Sequence, residues 1–215
     1  MSTRTTDYLE AIEHLPHGST LVIQQASWND YECLLQDLRD RPSLRVSYDQ
    51  GRLEIMSPLP EHEEYAATID MLVRAFAQSR KIKVQNYGGA TWKRQSLNRG
   101  VEPDCCYYVA NAFRVIGKRK FDLEKDPPPD IVVEIDITNE SISKFGIYAA
   151  LGVPEIWRYD SKRVQFYELV ADKYREVSES RSFAGLLPAM LAAALEQSKN
   201  DGQDAALDSF VAQIR

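Results

Sequence analysis

The run Asp130 to Ile137, DIVVEIDI, constrains this chain more than any other stretch. Its residues alternate with period two, placing Ile131, Val133, Ile135 and Ile137 on one face of a strand and Asp130, Val132, Glu134 and Asp136 on the other. So apolar a strand belongs inside a sheet, yet it carries Glu134 near its middle. An unpaired carboxylate in that setting costs several kcal/mol of desolvation, so a positive group must face it. Carboxylates two residues apart stand roughly 6.6 Å from each other at ~3.3 Å per residue, near enough to repel and also to share a cation.

The stretch Val101 to Val109, VEPDCCYYV, repeats the pattern more weakly, with Glu102, Asp104, Cys106 and Tyr108 on one face. If it lies beside the first strand, Asp104 and Glu134 converge. Thr138-Asn139 reads as a helix cap, and a helix from about Ser141 to Leu151 puts Lys144 one turn in, within reach of the strand's end. Two acids from neighbouring strands and a lysine make a metal site with a cationic assistant. Other readings stay open from these residues alone. Lys144 could equally be a solvated helix lysine, Glu134 and Asp136 could pair internally with arginines, and His62 could be an ordinary first-turn polar residue. Asp130, after Pro127-Pro128-Pro129, starts its strand some ~13 Å from Glu134 and reads as a loop-to-strand residue.

Around this centre the order is helices, sheet, crossover helix, sheet, helices. Thr6–His14 and Ser27–Asp40 read as helices, the second capped by Ser27 with Asp30 in its first turn. Leu44–Tyr48 and Arg52–Met56 flank Asp49-Gln50-Gly51, a hairpin signature. Ile69, Leu72, Val73, Phe76 and Ala77 form a helical stripe within Glu61–Arg80. Strands are expected at Ile82–Tyr87 and Ala90–Gln95, with Gly88-Gly89 as a turn, and Asn111–Pro129 as a loop. Pro154–Asp160 and Arg163–Leu169 read as a hairpin across Ser161-Lys162, with a short strand at Tyr174–Val177. Helices at Leu186–Gln197 and Asp204–Ile214 close the chain. The expected class is α/β or α+β with a mixed sheet, built as a single domain over residues 1–215.

No apolar run approaches the roughly 20 residues that cross a bilayer, and the first residues lack an apolar signal core, so a cytoplasmic location without membrane contact is expected. Three cysteines, Cys33, Cys105 and Cys106, argue against a disulfide framework, and with three histidines they offer no zinc spacing. Any metal here is expected to be a hard, oxygen-seeking ion. No phosphate-loop motif is present, which argues against a nucleotide cofactor. The net charge is −6, but Arg80 to Lys120 holds ten basic residues against Glu102 and Asp104. A phosphate chain feels that local excess because salt screens the distant acids.

Glu102-Pro103-Asp104, PPDIVVEIDIT from Pro128 to Thr138, Lys144, and YAALGVPEIWRYD from Tyr148 to Asp160 come in an order that resembles the Uma-two family of restriction endonucleases. MSPLPEHE before the long helix extends the likeness to roughly residues 15 to 180, leaving the helices of residues 186–215 to pack on the core or on a partner subunit. The resemblance implies a PD-(D/E)xK nuclease with a restriction-endonuclease-like mixed sheet flanked by helices. It further implies magnesium, or manganese in its place, on Asp104, Glu134 and the Ile135 carbonyl. Where the superfamily pattern places a lysine two residues after the acid, this chain has Asp136, and Lys144 resembles a displaced substitute. Glu61 and His62 fall where such nucleases often carry a helix-borne ligand. DNA is the implied partner, held by Lys93, Arg94, Arg99, Arg114, Lys118, Arg119 and Lys120, and a homodimer is expected. The alternative is a catalytically inactive nuclease-fold protein that binds nucleic acid or protein.

Overall fold

Two sheets share the strands, and the chain crosses from one to the other at Pro103. The computed structural model describes residue 9 and residues 11–38, 44–137 and 141–215. Of the helix expected at Thr6–His14, residues 9 and 11–13 are helical and residues 6–8 and 10 lie outside the described residues, as do the end of the Ser27–Asp40 helix and the Thr138-Asn139 cap.

The first sheet is antiparallel, in the order β1 (Thr20–Ile23), β3 (Arg52–Met56), β2 (Arg45–Asp49), β6 (Arg99–Val101), β5 (Trp92–Arg94). Gln50 and Gly51 both take positive φ between β2 and β3, the conformation a tight hairpin needs. Helix α1 (Trp28–Asp37) begins as its sequence signals: Ser27 and Asp30 form a reciprocal capping box. It covers this sheet through a cluster holding Tyr31, Leu34, Val46, Tyr48, Leu53 and Ile55.

The second sheet runs β11 (Lys173–Val177), β10 (Val164–Val170), β9 (Glu155–Tyr159), β8 (Ile131–Ile135), β7 (Cys105–Tyr108), β4 (Gln85–Asn86). Its one parallel pair, β8 with β9, is joined through a 3-10 turn (Ser141–Lys144) and α4 (Phe145–Leu151). The other pairs are antiparallel, so the sheet is mixed as expected. One face packs on α2 (Pro60–Ser79), α5 (Pro188–Asp201) and α6 (Gln203–Gln213) through Ile69, Val73, Phe76, Leu191, Leu195 and Phe210. The opposite face packs on α4, on α3 (Ala112–Val115) and on Trp92 and Val101 of the first sheet. Cys105 and Cys106 fall into these two separate clusters, as adjacent strand residues must.

Several expectations need correction. The strand read as Val101–Val109 is two strands in two sheets. Glu102 N–H bonds Val46 O in the first sheet at 3.1 Å, while Asp104 N–H bonds Val133 O in the second at 3.1 Å. Pro103 between them has no N–H to give either ladder. The strand expected at Ile82–Tyr87 shortens to Gln85–Asn86, the supposed loop Asn111–Pro129 contains α3, and β1 was not anticipated. No described helix is long and apolar enough to cross a membrane.

Candidate active site

The switch of sheets at Pro103 sets Asp104 at the head of β7, beside β8. The β7–β8 register pairs Cys105 with Val133 and Cys106 with Val132, so one residue further along it Asp104 stands opposite Glu134. Both are buried. Asp104 Oδ2 accepts the Ile135 N–H at 2.7 Å, which locks one acid onto the strand carrying the other. Glu134 accepts from Lys144 Nζ at 2.8 Å through Oε2 and from the Tyr148 hydroxyl through Oε1. Lys144 ends the 3-10 turn and Tyr148 lies four residues on, one helical turn away, so both reach the same carboxylate.

Burial is the largest influence on every charge here. It pushes the Glu134 carboxyl up to about 7, aided by repulsion from Asp104 and opposed by Lys144 and Tyr148. For Asp104, burial acts upward too, but the facing His62, the Lys144 ammonium and the Ile135 N–H outweigh it and hold the carboxyl below its usual value. Burial would strip the proton from Lys144, yet Glu134 and Asp104 raise its pKa instead. The Tyr148 hydroxyl is pushed far up by burial and by Glu134, so it remains a donor. The centre is therefore two acids and one ammonium, with the second acid poised near neutrality.

Around Asp104 Oδ1 the contacts are looser. The nitrogens facing it are Arg45 Nε at 3.8 Å and His62 Nδ1 at 3.9 Å, both beyond hydrogen-bond length. Arg45 is drawn to Glu63, 2.6 Å from its guanidinium. His62 is 1% exposed, and neither ring nitrogen has a hydrogen-bond partner among the described residues. A buried imidazole with both nitrogens unanswered, beside a carboxylate oxygen with spare lone pairs, has the chemistry of a half-built cation site. Among the described residues, no three His, Cys, Asp or Glu side chains are grouped to hold an ion unaided. That does not count against a magnesium-like ion, which usually takes one or two carboxylates and keeps water and substrate phosphate for the rest. Of the side chains gathered here, Asp104 and Glu134 are the two acids that could serve such an ion, with both Glu134 oxygens already accepting from Lys144 and Tyr148.

The remaining anticipated residues divide. Asp136 is held by Arg158, with Nε 2.5 Å from its Oδ2, so it belongs to an internal ion pair and not to the centre. Glu61 is exposed on α2, one residue from the buried His62. Asp130 caps the chain after β7, accepting Val109 N–H at 2.7 Å and Asn111 N–H at 3.1 Å, which explains it without ligation. Lys93 grips Glu32 at 2.7 Å, Arg99 grips Asp49 at 2.7 Å, Lys118 pairs with Asp126, and Arg94 donates to the Leu123 carbonyl. Arg114, Arg119 and Lys120 are exposed, next to Phe113 and Ile116, which are 72% and 60% exposed. These five residues lie beyond the Tyr108 end of β7, the end opposite Asp104.

Reading the sequence gave no role to Tyr148 or Arg45, and named Glu102 only as a residue on the Asp104 face. The four-residue spacing from Lys144 was the available signal for Tyr148. Arg45 had none, since its place depends on how the two sheets meet. Glu102 is buried, receiving Val46 N–H at 2.9 Å and the Thr91 hydroxyl, and burial raises its pKa. Beside it a cavity of about 390 Å³ is lined by Arg45, Glu102, Thr91, Lys93 and Glu32, and neither Asp104, Glu134 nor Lys144 lines it.

Comparison with known proteins adds the following. The Uma2 family model, described as "Putative restriction endonuclease", matches residues 28–197. Among curated proteins none matches the chain. Among solved structures the chain is similar to a crystal structure titled a putative nuclease belonging to DUF820, from Anabaena variabilis ATCC 29413. The two are 16% identical, with a TM-score of 0.49 over 68% of this chain and 89% of that one.

Proposed function

Because the chain belongs to the Uma2 family of putative restriction endonucleases, we propose that it is a metal-dependent endonuclease that hydrolyses phosphodiester bonds in DNA at the Asp104–Glu134–Lys144 centre. The observation that carries this reading is the convergence of two buried acids from adjacent strands on one ammonium. Asp104, Glu134 and the Ile135 carbonyl would hold magnesium or manganese, which when bound supplies a Lewis acid for the phosphate and a water made more acidic.

The chain's own groups have separable tasks. Asp104 is kept ionised by its surroundings and fixed to β8 through the Ile135 N–H, so its free oxygen has a defined direction. Glu134 would serve as the second acidic ligand, with its carboxylate fixed in direction by Lys144 and Tyr148. Lys144 offsets negative charge as a fifth substituent crowds the phosphorus, and Tyr148 keeps Glu134 in place. Of the cations expected to hold DNA, Arg114, Arg119 and Lys120 are exposed, and they would contribute affinity without sequence readout.

The test is cleavage of single- and double-stranded DNA and RNA by the purified protein at low salt, with magnesium and with manganese. Cleavage of DNA that falls at least about a hundredfold in both Asp104→Asn and Glu134→Gln is expected. Absence of cutting on every substrate in both metals sinks the proposal. One observation favours a second reading, that of a nuclease fold kept for binding alone: both Glu134 oxygens are already occupied by Lys144 and Tyr148. In that case DNA is retained in a gel-shift assay, and Asp104→Asn leaves retention unchanged.

A further inference from the structure

We propose that the turn around α3 is a docking site for unpaired DNA, in which Phe113 stacks on a base while Arg114, Arg119 and Lys120 hold the flanking phosphates. The inference rests on the DNA reading above and narrows the form of DNA that the chain holds.

The turn is built to present two apolar side chains outward. Ala112 and Val115 are buried in the cluster that holds Trp92, Tyr108 and Leu123, which leaves Phe113 and Ile116, three residues apart, on the outer side. These are the most exposed large apolar side chains among the described residues. The backbone beneath them is anchored on both sides. Asp130 accepts the Asn111 N–H at 3.1 Å, the Tyr87 hydroxyl donates to the Val115 carbonyl, and Lys118 pairs with Asp126. A ring already fixed in place loses little freedom when a flat partner covers it.

The charges around the ring select the partner. Residues 111–121 hold Arg114, Lys118, Arg119 and Lys120 and no acid, in a chain whose net charge is −6. The next acids are engaged elsewhere: Asp122 with Lys125, Glu124 with Ser96 and Asp126 with Lys118. Arg114, Arg119 and Lys120 are exposed, with no acid paired to them among the described residues. An aromatic ring flanked by cations holds a nucleic-acid strand without reading its sequence, since every base offers a flat face and every linkage a phosphate. In a duplex those faces are already stacked and only base edges reach the groove, where Phe113 and Ile116 have no hydrogen bond to offer. A flat anionic bilayer would bring the acidic remainder of the chain to the same surface, whereas a strand follows the basic turn alone, within a screening length of about 8 Å. The turn begins beyond the Tyr108 end of β7, roughly 14 Å of strand from Asp104 at ~3.4 Å per residue, so it meets nucleotides other than the one at the acids.

The experiment uses the full chain in a metal chelator, so that nothing is cut, and reads the binding of fluorescent DNA by anisotropy at low salt. The probes are a mixed-sequence single strand, its blunt duplex, and the same strand made abasic. The single strand should bind about tenfold more tightly than either of the others. Phe113→Ala should remove that advantage and leave duplex binding within about twofold. Phe113→Trp should keep the advantage, with indole emission quenched by the single strand and not by the abasic one. A thermal melt checks that both variants are folded. Equal binding of all three probes, or single-strand binding unmoved by Phe113→Ala, overturns the docking site, and the nuclease reading then stands if cutting still requires Asp104 and Glu134. Phe113-dependent binding by a chain that cuts nothing supports the docking site and sinks the nuclease reading. Sedimentation with phosphatidylserine vesicles that is lost in Phe113→Ala, without strand binding, assigns the turn to a membrane surface and overturns the proposal.

Discussion

Glu134 is held between opposing influences: burial and the neighbouring Asp104 favour its proton, and Lys144 with Tyr148 favours its charge, leaving the carboxyl near 7. The folded chain consequently keeps this proton at a pH where the unfolded chain has lost it. The group's contribution to stability is present below the ordinary carboxylate range and declines as pH rises through about 7. Urea unfolding of the natural chain and of Glu134→Gln, compared between pH 5 and 7.5, should show the natural chain losing ground to the variant as pH rises. Metal binding should follow the same group with the opposite slope, since an ion competes with the proton, and manganese affinity should climb with pH and flatten above about 7. Lys144 is the counterpart. Lys144→Met leaves a buried acid unpaired, which should push the Glu134 carboxyl higher still and cost about 3–5 kcal/mol in unfolding measurements near neutral pH. His62 teaches a different lesson at this scale. Its phase with the apolar stripe of α2 was visible in the sequence, but its two unanswered nitrogens were not, because a missing partner exists only once the neighbours are in place.

Among the elements, the pairing of β6 with β2 and β5 has the least room for change. A side chain at Gly100 would place its Cβ 2.2 Å from the Tyr31 hydroxyl oxygen, and Tyr31 is itself stacked on Tyr48 with ring centroids 5.0 Å apart. Gly100→Ala should therefore destabilise the chain by about 1–3 kcal/mol through overpacking, read as a fall in the denaturation midpoint. The Tyr31 hydroxyl is buried without a hydrogen-bond partner among the described residues, so Tyr31→Phe should leave the melting temperature unchanged or raise it. Both outcomes bear on the candidate centre, because β6 leads directly through Pro103 to Asp104. Alternation alone predicted the faces of β8 correctly, and the capping box at Ser27 and the hairpin at Gln50-Gly51 were equally legible. The division of Val101–Val109 between two sheets was not. Period-two patterning is the same on either side of Pro103, and nothing local tells a strand which neighbour it will find.

Across the whole molecule, the basic excess between Arg80 and Lys120 is not the continuous surface that its sequence suggests. Lys93, Arg99 and Lys118 are taken by acids, and Arg114, Arg119 and Lys120 remain exposed beyond the far end of β7 from the acids. On the DNA-cleaving reading proposed above, these three exposed cations set the part of the salt dependence that can be tested. Replacing Arg114, Arg119 and Lys120 together by alanine should reduce the slope of log affinity against log salt by up to ~3, without altering sequence preference. Local pattern by itself determined that this chain has an apolar strand with an acid at its centre, a second acid on a like-patterned strand, and a lysine one turn into the next helix. Those features follow from backbone periodicity, which is a property of neighbouring residues. Tertiary structure alone decided that Asp104 faces Glu134, that Asp136 goes to Arg158, and that His62 sits unanswered beside the pair. Those outcomes depend on register and on the meeting of two sheets, where residues far apart in the chain compete for the same few buried charges.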